Sequence, residues 1–209
     1  MNMKTKKRGS RERKIGVWDC KRHYSLSWSY IKECKNQIYF ILALILGSAL
    51  VGLIYQPPEI YDLIQKFLQD LLSQTQELNW WQMIIFILNN NLQTSFFSMI
   101  FGVFFGIFPV LAGFSNGYVL GFVAEKAVAI GGLLTLWRLL PHGIFEFPAI
   151  ILSLALGMRF GMFWFAGKGK KKKEFFRRLD SSMRVFLFVV LPLLIIAAII
   201  EGILIVILS

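Results

Sequence analysis

Two ionisable residues stand one helical turn apart in the stretch Leu139-Leu140-Pro141-His142-Gly143-Ile144-Phe145-Glu146-Phe147-Pro148. On a helix His142 and Glu146 share a face, and Pro141 suits the first helical position, where the helix dipole favours a carboxylate. An imidazole oriented by a carboxylate can ligate a metal, move a proton or serve as a packed structural pair. The other polar groups in apolar surroundings are Asn89-Asn90-Asn91, the adjacent Glu125-Lys126, and Glu201. An enzyme would recruit Asn90, Glu125 or Glu201 to His142 and Glu146 as metal ligands or as an acid and a base. The spacing does not complete such a set: there is no His-Glu-x-x-His, no nucleophile elbow and no carboxylate dyad, and His23 lies in the N-terminal tail. No catalytic residue, metal site or cofactor is expected. A channel or transporter for an ion or small solute would use Glu125, His142 and Glu146 near a helix break. The favoured reading makes the polar residues fixers of helix packing, in a non-enzymatic membrane scaffold or partner-recruiting subunit.

The composition sets the medium in which these groups sit. The chain has 209 residues, 56% of them hydrophobic and 20 of them Phe, with a mean hydropathy of +0.59. That is more apolar surface than one globular core of this size can bury, and lipid resolves the excess. The net charge of +11 is uneven, because 11 of the 23 Lys and Arg precede Asn36 and 8 more lie between Lys168 and Arg184. Two basic clusters flanking apolar runs follow the positive-inside pattern, and no recognition motif argues for nucleic acid. Cys20 and Cys34 fall in the basic N-terminal segment, expected to be cytoplasmic and reduced. Roughly 35 polar residues precede the first apolar run, so that run reads as a retained anchor and not a cleavable signal.

The chain divides into a basic cytoplasmic segment, residues 1–35, and a single transmembrane bundle, residues 36–209. Within the first, a disordered basic block from Lys4 to Lys14 precedes a helix on the cytoplasmic interface. Span one, about 36–55, crosses outward and stops at Pro57-Pro58. Ile60, Leu63, Ile64, Phe67, Leu68 and Leu71 then follow at helical spacing, as expected of an amphipathic helix lying flat on the outer surface. Asn89-Asn90-Asn91 is placed at the outer interface, because amides are costly in hydrocarbon, with span two at about 91–111. Gly102-x-x-x-Gly106 and Gly113-x-x-x-Gly117-x-x-x-Gly121 form stripes on which a neighbouring backbone can rest. Spans two and three are therefore expected to form a tight hairpin, turning at Phe114-Ser115-Asn116-Gly117.

Span three, about 114–136, contains Glu125-Lys126 and then Gly131-Gly132. Either it is one helix with charges facing the bundle, or a shorter helix ends near Ile130 and a broken re-entrant segment follows; the second is preferred. Adjacent side chains point about 100° apart on a helix, so Glu125 and Lys126 are expected to find partners elsewhere. Span four, about 142–165, holds Pro148, Gly157, Gly161 and a snorkelling Arg159. A basic cytoplasmic loop from Lys168 to Arg184 leads to span five, about 185–208, kinked at Pro192. Five spans put the N-terminus in the cytoplasm and the C-terminus outside a plasma membrane. Lipids, another membrane or envelope protein, and a second copy of the chain are the expected partners.

Asn89-Asn90-Asn91, Gly106, Asn116-Gly117, the run from Leu140 to Ala149, and Gly157 with Arg159 and Gly161 together resemble the stage II sporulation protein M family. The resemblance extends from about Gln37 to the end of the chain. Its His-Gly-x-x-Glu-x-Pro core, His142, Gly143, Glu146 and Pro148, belongs to a broad branch found well beyond spore formers. It implies a bundle of about five spans without catalysis of its own. In sporulating members it implies a part in engulfment, anchoring a complex that contains peptidoglycan-degrading enzymes.

Overall fold

The computed structural model describes the backbone of residues 19–208 and the side chains of residues 19–136 and 143–204. The basic block Lys4 to Lys14 and the side chain of His142 lie outside the described residues. The described chain is helical throughout: α1 (Cys20–Glu33), α2 (Lys35–Ile54), α3 (Pro58–Thr75), α4 (Trp80–Phe101), α5 (Ile107–Gly131), α6 (Leu140–Gly161), α7 (Lys171–Val185) and α8 (Leu191–Leu208). Helices satisfy every backbone group within the segment, which hydrocarbon demands. Five segments are long and apolar enough to cross a membrane: α2, α4, α5, α6 with its extension to Phe165, and the α7–α8 helix. The fold is thus an all-α membrane bundle with an added amphipathic helix, α3.

The helix α6 is the central post, the most buried of the five, and it packs against α2, α4, α5, α7 and α8. One end of the bundle carries α1 and α7. There Glu33 pairs with Arg159 at 3.6 Å and with Arg177 at 3.3 Å, and the Trp164 indole donates to the Val103 carbonyl at 2.7 Å. The opposite end carries α3 and the 3-10 turns of residues 133–139. The helix α1 is not a free interfacial tail; Ser27, Tyr30 and Cys34 are buried against the bundle.

Several boundaries differ from the sequence expectation. The second span begins at Trp80, where Asn79 caps it twice over: its side chain accepts from the Gln82 N–H at 2.9 Å and its own N–H donates to the Gln82 side chain at 3.0 Å. Asn89, Asn90 and Asn91 therefore lie inside α4 and not at its head. The chain turns at Gly102–Gly106, where Gly106 is left-handed (φ 76°), a conformation glycine adopts without a side-chain clash. Phe114-Ser115-Asn116-Gly117 remains helical, and the Asn116 amide is satisfied by the Ala112 carbonyl at 2.8 Å.

The glycine stripes also serve other partners than the expected hairpin. Gly117 and Gly121 rest on the backbone of α2 at Ile45 and Ala49, Gly113 meets Leu44 more loosely, and from the other side Gly52 rests on Tyr118. Gly102 and Gly157 face each other across the α4–α6 crossing, and Gly161 abuts Gly102 and Gly106. Each stripe brings two backbones together, but α5 is matched to α2, and α4 to α6.

Residues 171–185 form a helix where a loop was expected, continuous through a π-helical turn, Phe186–Val190, into α8. Pro192 has no N–H for the Phe188 carbonyl, so the register widens there. The helix α5 ends at Gly131, with Gly132 left-handed (φ 73°), and a broken segment of 3-10 turns follows.

Candidate functional site

Asn90 lies ten residues beyond the first residue of α4, which at ~1.5 Å per residue is about 15 Å into the bundle. Amides at that depth require partners or space. Asn89 and Asn90 hydrogen-bond along their own helix, to Gln93 at 3.1 Å and to Asn91 at 3.5 Å. Asn90 and Asn91 also line a cavity. The helix α4 packs on α6 and α8 while α5 packs on α2, so α4 and α5 splay and leave a cleft, floored by α6 and roofed by α3.

The cleft holds two polar chambers. One, of about 340 Å³, is lined by Asn90, Asn91, Thr94 and Ser95 of α4, Ser115 and Asn116 of α5, Glu146 of α6 and Phe67 of α3. The other, of about 700 Å³, adds Glu201 of α8 and the apolar face of α3 from Leu68 to Thr75. Asn90, Asn91 and Glu146 belong to both. The lining brings two carboxylates and three amides together with no lysine or arginine among the described residues. Glu146 is half-buried and held by a contact within the chain. Ser95 is 3% exposed and borders the smaller chamber, its hydroxyl buried without a hydrogen-bond partner. Such a lining accepts and donates hydrogen bonds and favours a cation over an anion.

Of the residues singled out by sequence, Asn90 and Glu146 meet in this cleft, and Glu201 joins them. Gly143 is buried one turn before Glu146, where a Cβ would meet the Phe147 ring at 2.9 Å, and Pro148 is exposed in the helix interior. Glu125 is elsewhere. It pairs with Lys126 at 2.8 Å and accepts from the Gln56 amide at 3.5 Å, while Lys126 also sits over the Tyr61 ring at 4.9 Å. Neighbouring positions diverge at the backbone, but two long side chains can fold back to meet, which corrects the expectation that they pair poorly, while Gln56 and Tyr61 are the partners expected elsewhere. Glu125 stands two residues from the cavity-lining Val123, so it points to the other side of α5.

Asn91, Thr94, Ser95 and Asn116 are not among the residues that spacing singled out. The signal is present, because positions 90, 91, 94 and 95 repeat at helical spacing and draw one polar face along α4. It is legible only once α4 is known to run through them.

An all-α membrane bundle with a polar cleft between splayed helices defines a class of membrane protein, not an activity. The family model for Stage II sporulation protein M matches residues 37–204. The chain belongs to that family. It is 32% identical over 173 residues to the "Uncharacterized protein MJ0706" of Methanocaldococcus jannaschii, covering 79% of this chain and 77% of that relative. No solved structure matches.

Proposed function

We propose that the protein is a non-enzymatic membrane protein that binds a small cationic or hydrogen-bond-rich solute in the cleft beneath α3, the solute site of a channel or transporter. The carrying observation is that Asn90, Asn91 and Glu146 line space together with Glu201 and Asn116, from four different helices. Polar groups at this depth are costly, and groups that surround a cavity are better suited to a ligand than to fixing helix packing alone. Positive-inside bias supports a cytoplasmic α1 and α7 end, with the cleft towards the extracytoplasmic side of a plasma membrane. Glu125, facing away, has no part in the site.

The test is thermal unfolding of the purified protein with ethanolammonium as the probe. Wild type is expected to gain stability at millimolar probe, by about 2.7 kcal/mol at a hundredfold excess over Kd. Glu201→Gln and Asn90→Ala are expected to lose that gain, and Glu125→Gln to keep it. No stabilisation of wild type by ethanolammonium, ammonium or choline would sink the proposal.

A second reading, the scaffold or partner-recruiting subunit, is favoured by the close backbone packing of α2 on α5 and α4 on α6, and by the ion-paired platform of α1 and α7. Its partner would be another membrane or envelope protein or a second copy. Purification in mild detergents that returned only monomeric chain would count against it.

A further inference from the structure

A third cavity adjoins the polar cleft. This groove, of about 570 Å³, runs between α2, α3 and α5 and is apolar, with Val51, Leu63, Ile64, Phe114 and Tyr118 among its walls. Phe67, Ser115 and Val119 line both the groove and the smaller polar chamber, so the two spaces meet beneath the middle of α3. Phe67 stands at the junction and is half exposed.

We infer that the ligand is an amphiphile: a lipid with an ammonium headgroup, its head in the polar cleft and its acyl chain in the apolar groove. The inference rests on the solute-site reading and names the substrate class of that same site. A groove facing hydrocarbon takes up an acyl chain from any lipid, so the groove alone selects nothing. Selection comes from what the groove opens into. Glu146 lines the chamber that the groove opens into and Glu201 the larger chamber beyond it; these carboxylates complement an ammonium and oppose an anionic head, because an unpaired negative headgroup beside carboxylates in low dielectric is strongly disfavoured.

The roof is built to admit such a ligand. Ile64 is the one buried residue of α3; with the half-buried Tyr61 and Leu68 it packs on Tyr118 and Phe122, and short links tie both ends of α3 to α2 and α4. A shift of α3 about that small cluster would open both cavities to the lipid on its flank.

The experiment uses the full chain in phosphatidylglycerol vesicles containing a trace of phosphatidylethanolamine or of phosphatidylglycerol with a photoreactive acyl chain. Cross-links are mapped to the groove peptides around Val51 and Phe114. The ethanolamine lipid is expected to label them about tenfold more than the glycerol lipid, as one charge-assisted contact allows, and Glu201→Gln should reduce that preference. Leu63→Trp, at an exposed position, should fill the groove and remove labelling by both lipids while ethanolammonium still stabilises the protein. It also serves should Glu201→Gln fail to fold. Equal labelling by the two lipids would mean annular lipid only and would overturn the inference. If free ethanolammonium stabilises the protein without any lipid preference, the solute site stands and the lipid assignment falls. If neither binds, both fall.

Discussion

Cys34 sits at the joint of α1 and α2 and is 1% exposed, whereas Cys20 is exposed on the first turn of α1. Burial pushes the Cys34 thiol up to about 12 from 9.0 and the Tyr30 hydroxyl up to about 12 from 10.0. A thiolate is the reactive form of cysteine, so maleimide at neutral pH should label Cys20 alone and both cysteines after unfolding. The same burial has a pH consequence. Between about 9 and 12 the unfolded chain has released these protons and the folded chain has kept them, so stability falls as pH rises through that window. Thermal melting points that stay flat from pH 8 to pH 11 would contradict it. Glu125 shows the reverse lesson. A carboxylate inside an apolar run suggests chemistry, yet Lys126 and Gln56 engage it on the side of α5 away from the cleft.

At the level of elements, the glycines decide which helices are neighbours. A side chain at Gly121 would collide with the Ala49 carbonyl, and one at Gly157 would press on Pro109, Ser98 and Met99, whereas nothing lies near Gly47. Gly121→Leu and Gly157→Leu should each destabilise the bundle by at least about 1–3 kcal/mol, the usual cost of overpacking. Gly47→Ala should be neutral or gain up to about 1 kcal/mol from helix propensity. Melting in detergent checks all three, and equal effects at the three sites would refute the assigned contacts. The lid helix α3 is the contrasting case, with Ile64 its one buried residue and Tyr61 and Leu68 half-buried beside it, and so the element freest to shift.

For the molecule as a whole, five crossings would place the two termini on opposite sides of the membrane. Reporter fusions should show the N-terminus cytoplasmic and the C-terminus outside; the same side for both would remove one crossing and with it the stated orientation of the cleft. The described basic residues of α1 and α7 lie together at one end, and the acidic α3 segment at the other, which is the asymmetry that positive-inside bias requires.

The sequence by itself determined the class of the protein. Apolar runs of spanning length, the proline stop before α3 and the amphipathic spacing of Ile60 to Leu71 are local signals, and each was legible because lipid imposes one simple rule on every helix it surrounds. It did not determine where α4 begins, because three asparagines looked too polar to lie within a span. Only the tertiary structure shows that the splay of α4 from α5 gives two of them, Asn90 and Asn91, a cavity. Nor did it determine pairing: a glycine stripe announces that a backbone will come close, but not whose. The association of Asn90, Glu146 and Glu201 across three helices is likewise a product of packing, since no spacing along the chain records which faces meet.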